Sequence, residues 1–557
     1  MPRRGQQGFP RVALSAACAL ALLGCEGAPA RSKPWRHAAE PATGAQDPAT
    51  TRILEREGDR VQARRERANT LRIHLPEQVS HLHPMISPTT WGRRIVHQTV
   101  FETLLRATPD GYEPGLASSF AVSPDGKEIR IDLRDGVTFH DGKKLTSVDV
   151  QFSLDSARSP RVDADHLRSE LSDVTAVELI SARSVRIRLA KQNGYVLRAL
   201  AEVPILSQSV YQSRLKTTRG PAIGTGPYQV ASATDDQIRL ERNDDYWGEQ
   251  PAIPNIVYVY DPDDARALTA AKSGDLDILP AMSPIHYPEQ AEAPGVAARL
   301  SPLRLRPPAM RLIALNSARR PFSDRRVRRA VSLLIDRKRL VERAHSGLAW
   351  SPPAWVWPGG PVHSAAVSAP RYDPAAAAEL LDASGWRDLD GDGTRQRGGS
   401  RLMITVLATP EDNPERDAVL RAVREAGFVL DVRTGPSAVL ENRLSSRQFD
   451  LAFIDWSGAA DMDLTSYLAS GGRHNWGGFS SPVIDSLLAE LRVAAGPRER
   501  AAIASKLARA LDTEMPVVPL TAPDPYGLVH RRVKGAVPLD GWIQVHRLQL
   551  LPEAAAE

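Results

Sequence analysis

Leu133-Arg134-Asp135-Gly136-Val137-Thr138-Phe139-His140-Asp141-Gly142 is the stretch on which the fold of this 557-residue chain turns. Its Arg134-Asp135-Gly136 is turn chemistry, because Asp hydrogen-bonds its own backbone and Gly supplies positive φ at no steric cost. A second turn, Pro124-Asp125-Gly126-Lys127, lies just upstream. Between them Ile129-Arg130-Ile131-Asp132-Leu133 alternates with period two, as a half-buried strand does.

The pattern repeats outward. Leu71-Arg72-Ile73-His74-Leu75 and Val185-Arg186-Ile187-Arg188-Leu189 alternate in the same way, whereas Ile256-Val257-Tyr258-Val259-Tyr260 and Leu451-Ala452-Phe453-Ile454 read as more fully buried strands. Helical periodicity is interleaved with them. Val327, Ala330, Val331, Leu334 and Ile335 form one apolar face, and so do Ile503, Leu507, Ala510 and Leu511. The class is therefore α/β, and a chain this long with 42% hydrophobic residues buries more than one core.

At the other end, Arg3, Arg4 and Arg11 precede twelve uncharged, mostly apolar residues from Val12 to Leu23. About 20 apolar residues are needed to span a bilayer, so this run reads as a secretion signal over 1–24 and not as an anchor. Leu22-Leu23-Gly24-Cys25 matches a lipoprotein processing site, with Cys25 as the lipidated thiol. Cys18, the other cysteine, lies within the signal, which leaves no thiol for a disulfide, a zinc site or catalysis. Several acyl chains on one residue hold a protein stably at a membrane. From Glu26 to about Asn69 the chain is rich in Ala, Pro, Arg and Glu without a sustained apolar face, which predicts a flexible tether over 25–69.

Formal net charge is +5, and the three signal arginines carry three of those charges, so about +2 remains beyond Gly24. Acids and bases alternate almost everywhere. No concentrated basic stripe is present, which argues against nucleic acid as a partner.

The enzyme signatures His-Glu-x-x-His, Gly-x-Ser-x-Gly and the phosphate-binding loop are absent from the sequence. Ser213-Arg214-Leu215-Lys216 fits Ser-x-x-Lys but lacks the companion motifs. Asp388, Asp390 and Asp392 followed by Gly393 imitate the first half of a calcium loop, but the twelfth position is Gly399, so a polar turn is expected. His81 and His83, next to Pro84, read as surface or structural histidines. The chain is read as a non-enzyme with no catalytic residue, cofactor or resident metal.

Longer blocks carry a resemblance. Val100-Phe101-Glu102-Thr103-Leu104, the ten-residue stretch above and Thr146-Ser147-Val148-Asp149-Val150 are followed by Gly224-Thr225-Gly226-Pro227-Tyr228, Asn243-Asp244-Asp245-Tyr246-Trp247-Gly248 and Lys272-Ser273-Gly274-Asp275-Leu276-Asp277. Asn316, Pro321-Phe322-Ser323-Asp324, Tyr372-Asp373-Pro374, Gly385-Trp386 and Pro516-Val517-Val518-Pro519-Leu520 continue the series. In this order the blocks closely resemble the family 5 extracellular solute-binding proteins, receptors for oligopeptides, dipeptides and nickel chelates that serve ABC importers. The resemblance covers nearly all of Leu71 to about Gly535.

It implies a two-lobed, periplasmic-binding-protein-like α/β fold of type II, in the large family 5 variety with an extra subdomain and a hinge between lobes. Lobe I would take 70–300, with the subdomain at about 97–216. Lobe II would take 301–512, and 513–557 would return to lobe I. Implied partners are a small solute, a peptide above all, together with ABC permease and ATPase subunits, and the membrane through the lipid. The ligand carboxylate of peptide-binding members follows a Trp beyond a buried strand. Here Trp456 is followed by Asp461 and Asp463, either of which fits an ammonium group, with Trp456 as an apolar wall. Thr89 and Trp91 are expected on the facing segment, and the loop Trp350 to Trp357 on the opposite wall. A lipid-anchored receptor or chaperone without a transporter, and a metal-chelate binder, are the competing readings.

Overall fold

The computed structural model describes residues 66–86, 90–108, 111–160, 162, 164–217, 220–353, 367–368, 370–458, 463–494, 497–539 and 541–552. Signal, Cys25 and most of the tether lie outside the described residues. Among the described residues no helix is long and apolar enough to cross a membrane.

Three sheets organise the chain. The largest has seven strands in the order Leu300–Arg304, Tyr526–His530, Ile278–Leu279, Thr70–Leu75, Asn255–Tyr260, Gln237–Arg242 and Tyr228–Ala233. Thr70–Leu75 runs parallel to both of its neighbours. Although its sequence alternates, it is buried nearly throughout, because a central strand in parallel pairing is covered on both faces. Even His74 is buried, with its Nε2 hydrogen-bonded to the Asp261 carbonyl at 2.8 Å.

A four-stranded antiparallel sheet, Ala117–Val122, Glu128–Leu133, Ser184–Leu189 and Val174–Ser181, grows from the same apolar cluster as the first. Its strands keep the alternation their sequences predict, Ile129, Ile131 and Leu133 pointing inward. A five-stranded sheet is built from Val429–Thr434, Met403–Ala408, Leu451–Ser457, Ala309–Leu315 and Val517–Pro519. Helices cover both of its faces. Ile313 and Leu315 join a cluster with Val327 and Val331, while Met310 and Leu312 join another with Leu487, Leu488 and Leu507.

The chain passes between the seven-stranded and five-stranded sheets twice, once from Arg304 to Ala309 and once from Pro519 to Tyr526. The two passages are tied together. Arg306 donates from Nε and Nη2 to the Asp524 carboxylate at 3.2 and 3.3 Å, and Arg304 Nη1 donates to the Asp524 carbonyl at 3.0 Å.

Local chemistry explains the helix ends. Arg325–Leu333 starts on Asp324, whose carboxylate accepts from Arg326 N, and stops short of Ile335 because Asp336 caps the next helix, Arg337–Ala344, through Arg339 N. Pro497–Glu514 covers the expected face of Ile503, Leu507 and Leu511. Its final carbonyl, Glu514 O, accepts from buried Arg328 Nη2 at 2.6 Å, a cation at the negative end of the helix dipole.

The sequence blocks meet in space. Glu102 is buried and accepts from Tyr246 Oη and Trp247 Nε1 at 2.8 Å and from Thr225 Oγ1 at 3.0 Å, so three blocks converge on one carboxylate. Burial pushes the Glu102 pKa up, against the opposing pull of those hydrogen bonds. Gly224 and Gly226 are needed because a Cβ there would lie 1.9 Å from Val100 O and 2.2 Å from Thr99 O. His140 completes the knot: its Nδ1 accepts from Gly224 N at 3.3 Å and its Nε2 meets Gly226 O at 3.0 Å. Thr146-Ser147-Val148-Asp149 is a capping box opening Ser147–Arg158, with Thr146 N donating to Asp149 Oδ2 at 2.9 Å.

Candidate functional site at the chain crossings

A cavity of about 310 Å³ lies where the two passages meet the five-stranded sheet, lined by Arg311, His345, Asp455, Trp456, Thr521 and Pro523 among others. The antiparallel pairing of Ala309–Leu315 with Leu451–Ser457 sets Arg311 opposite Asp455 and Met310 opposite Trp456. Pleat alternation then divides the pairs. Met310 and Trp456 are buried in the cluster shared with Leu312 and Leu464, while Arg311 and Asp455 sit on the opposite face of the strands.

Arg311 Nε donates to Asp455 Oδ1 at 3.1 Å and its Nη1 to Glu415 Oε2 at 2.8 Å. Asp455 is the exposed member of this group, its side chain 80% accessible, whereas the Glu415 side chain is 2% accessible. Glu415 also accepts from Thr521 Oγ1 at 2.7 Å and faces His345 Nε2 at 3.1 Å. Burial alone would raise its pKa. Hydrogen bonds from His345, Arg311 and Thr521 outweigh that and hold the carboxyl below the ordinary range. Glu415 thus fixes the guanidinium from behind, leaving a cation and an exposed carboxylate at one opening, along the strand that also carries buried Trp456. Such a set can hold a zwitterionic or amphipathic solute.

A second aromatic group borders the first passage. Trp91 and Trp542 meet edge to face with centroids 4.9 Å apart, and the Arg94 guanidinium lies 5.0 and 4.8 Å from the two rings. Burial pushes the Arg94 pKa down to about 10. Arg94 Nη2 donates to Gly541 O, and a Cβ on Gly541 would lie 2.5 Å from Pro307 Cα. On the far side of those prolines, Gly458 N donates to Pro308 O at 3.0 Å.

Of the residues expected from sequence, Trp456 lines the cavity and Trp91 lies half-buried in the aromatic group. Thr89 and Asp461 lie outside the described residues. Asp463 is buried; its Oδ1 accepts from Thr465 N at 2.9 Å, and its Oδ2 lies 3.1 Å from Arg492 Nη1. Trp350 borders a separate cavity of about 380 Å³ with Arg337 and Tyr372, and the rest of its loop to Trp357 is described only through Pro353. Sequence reasoning missed Arg311, His345, Glu415, Asp455 and Thr521. Asp455 alone left a signal, a charge inside an otherwise apolar strand directly before a Trp.

The Asp388, Asp390 and Asp392 carboxylates accept from the turn's own backbone, including Gly391 N and Gly393 N, and from Gln396 and Arg401. His83 is structural: its Nδ1 accepts from Met85 N at 3.2 Å and Ile86 N at 3.0 Å, and burial pushes its pKa to about 4.

Comparison with known proteins agrees with this architecture. The model of the bacterial extracellular solute-binding proteins, family 5 middle region, matches residues 111–478. Protein XP55 of Streptomyces lividans is 28% identical over 458 residues, 76% of this chain and 79% of that one. The oligopeptide-binding protein AppA of Bacillus subtilis, solved with a nonapeptide, superposes with a TM-score of 0.69 at 18% identity, covering 86% of this chain and 99% of its own. NikA of Brucella suis, solved with Fe(III)-EDTA, gives 0.75 at 22% identity, covering 86% and 100%. Those two likenesses establish a shared two-lobed fold.

Proposed function

The chain belongs to the bacterial extracellular solute-binding proteins of family 5, and from that membership we propose that it captures a peptide or similar small solute between its lobes and delivers it to an ABC permease. One observation carries the reading: the cavity at the chain crossings sets a fixed cation, Arg311, beside an exposed carboxylate, Asp455. The two ends of a peptide supply the complement to both. Asp455 and Arg311 contact the solute from lobe II, together with Trp456 and, further along the sequence, Asp461. Trp91 and Thr89 approach from lobe I.

In this reading lobe I comprises 70–300 with its subdomain at about 97–216, lobe II comprises 301–512, and 513–557 returns to lobe I. Tyr526–His530 pairs within the seven-stranded sheet as that return requires, while Leu300–Arg304 still pairs there and Val517–Pro519 still pairs within the five-stranded sheet, so the strands change body a few residues after each of these bounds. Closure turns on the two passages joined through Asp524. Cys25 carries the lipid that keeps the receptor near its permease, with 25–69 as the tether.

The test is native mass spectrometry of the protein from its own host, followed by thermal melting against synthetic di- to nonapeptides. Asp455→Asn removes an exposed charge, so stability changes by no more than about 1 kcal/mol, while affinity for the retained solute falls at least tenfold. An unchanged affinity, or a melting temperature indifferent to every peptide, overturns the peptide reading. A metal chelate has one supporting observation, the Fe(III)-EDTA found with NikA of Brucella suis, and elemental analysis after dialysis distinguishes it.

A further inference from the structure

A second contact joins the bodies beside the chain crossings. Arg492 ends the helix Pro482–Val493, which packs on the five-stranded sheet, and its guanidinium reaches two carboxylates at once. Nη1 lies 3.1 Å from Asp463 Oδ2, and Nε donates to Asp173 Oδ2 at 3.1 Å. Nη2 donates to Ser169 O at 3.0 Å and to Ser172 Oγ at 2.8 Å. Asp173 immediately precedes Val174–Ser181, a strand of the four-stranded sheet that shares its core with the seven-stranded sheet. Asp463 lies next to Leu464, which is buried in the cluster that also holds Trp456. One side chain therefore joins that cluster to the opposite body.

Backbone and aromatic contacts surround it. Gly194 N donates to Arg492 O at 2.7 Å, and Gln192 Nε2 donates to Val493 O at 2.7 Å. A Cβ at Gly194 would lie 3.3 Å from Ala494 O, so the approach is tight. Tyr195 is buried in the cluster that holds Met310, Leu312 and Trp456, with the Arg500 guanidinium 4.7 Å from its ring centroid. Asn193 Nδ2 donates to Asp173 Oδ2 at 3.0 Å and so holds the carboxylate in place.

We propose that Arg492 is a positioning residue for solute capture, a latch that forms as the lobes close and ties Asp463 of the five-stranded body to Asp173 of the subdomain. This rests on the two-lobe reading above. The physical reason is that Arg492 keeps Asp463 on its own lobe in any state, whereas Asp173, Ser169 and Ser172 come from the other body. Opening therefore exchanges three directed hydrogen bonds and the burial of Tyr195 for water. A fork of planar donors suits such a bridge, since it serves two carboxylates in fixed directions. Because Tyr195 and Leu464, on either side of the latch, share a buried cluster with Met310 and Trp456 on the cavity strands, occupation of the cavity and formation of the latch favour each other.

Electron–electron distance measurement tests this without knowledge of the solute. Cysteines replacing exposed Leu179 and Val483, in a chain whose native cysteines are changed to serine, carry the spin labels. The protein is examined as isolated and after refolding without solute. In the otherwise unaltered chain a short separation is a populated peak. In Arg492→Gln that peak falls about tenfold relative to the longer separation, with the far-ultraviolet spectrum unchanged. Asp173→Asn, on the other body, has the same effect should Arg492→Gln fail to fold. The double variant is no more open than either single one. An unchanged distribution in either variant, additive effects in the double variant, or no short separation in the unaltered chain overturns the latch. Failure to respond to any peptide leaves this result standing and bears only on the solute.

Discussion

Asp277→Ala should be among the most destabilising single substitutions in the chain, and the geometry says by how much. Arg532 Nε donates to Asp277 Oδ1 at 2.6 Å and Nη2 to Oδ2 at 2.7 Å, with side-chain exposures of 2% and 1%. Asp277 Oδ2 also accepts from Arg72 N at 2.9 Å, and Arg532 reaches the carbonyls of Arg67 and Thr70. Removing the carboxylate leaves a buried guanidinium with two carbonyls and no counter-charge, a loss of about 3–5 kcal/mol. A kcal/mol is worth about 2–4 °C in a body of 150–250 residues, so melting of the lobe that contains the pair falls by roughly 6–20 °C. Asp277→Leu combined with Arg532→Met removes the stranded charge as well and should return to within about 2 kcal/mol of the native protein. Urea unfolding followed by tryptophan fluorescence and circular dichroism measures both. A loss under 1 kcal/mol for the single variant, or a double variant as unstable as the single one, would refute the argument. So would a shift confined to an unfolding step that leaves the seven-stranded sheet intact.

Other outcomes follow from individual groups. Glu102→Gln replaces one of the two accepting oxygens with an NH2 donor, which faces either Tyr246 or the pair Trp247 and Thr225; it should cost about 1–3 kcal/mol, read as a lower urea midpoint. Glu415 has a folded-state pKa below its ordinary 4.5, so its stabilisation is complete above that value and is lost as pH falls through the depressed one. Glu415→Gln should therefore flatten the stability profile below pH 4.5, and an unaltered acid limb speaks against the assignment. Gly226→Ala places a Cβ against Thr99 O and should cost several kcal/mol by overpacking, whereas Gly136→Ala, with open space around its Cβ, should lose only about 1 kcal/mol through its positive φ.

What was legible in the sequence was chemistry that acts locally. The alternation of Ile129 to Leu133 and the turn at Asp125-Gly126 each involve residues within a few positions, and each is found where its pattern predicts. The shortened helix at Leu333 is also local in hindsight, since Asp336 is a good cap. Burial of His74 was not legible, because it depends on strands almost 200 residues away. The candidate site depends still more on remote pairing. Arg311, Glu415 and Thr521 meet only because two passages and one strand register bring them together.

The sequence drew attention to carboxylates by their place in motifs, and the structure sorts them by what already occupies their oxygens. Glu102, Asp277 and Asp463 are buried and surrounded by directed donors. Such groups hold segments together, and a ligand amine would have to displace a protein donor to reach them. Asp455 is different: it is exposed, lies on the wall of the cavity and, among the described residues, is met by Arg311 Nε, a guanidinium itself anchored by buried Glu415. An incoming ammonium can share Asp455 without breaking the Arg311–Glu415 bond, and an incoming carboxylate can take the outer edge of Arg311 in its place. Exchange of this exposed pair for two pairs with a zwitterion keeps every charge matched throughout capture. That makes Arg311→Met the sharper companion to Asp455→Asn. Loss of the cation should weaken carboxylate-bearing solutes at least tenfold while sparing their amidated forms, and equal weakening of both forms would place the carboxylate elsewhere.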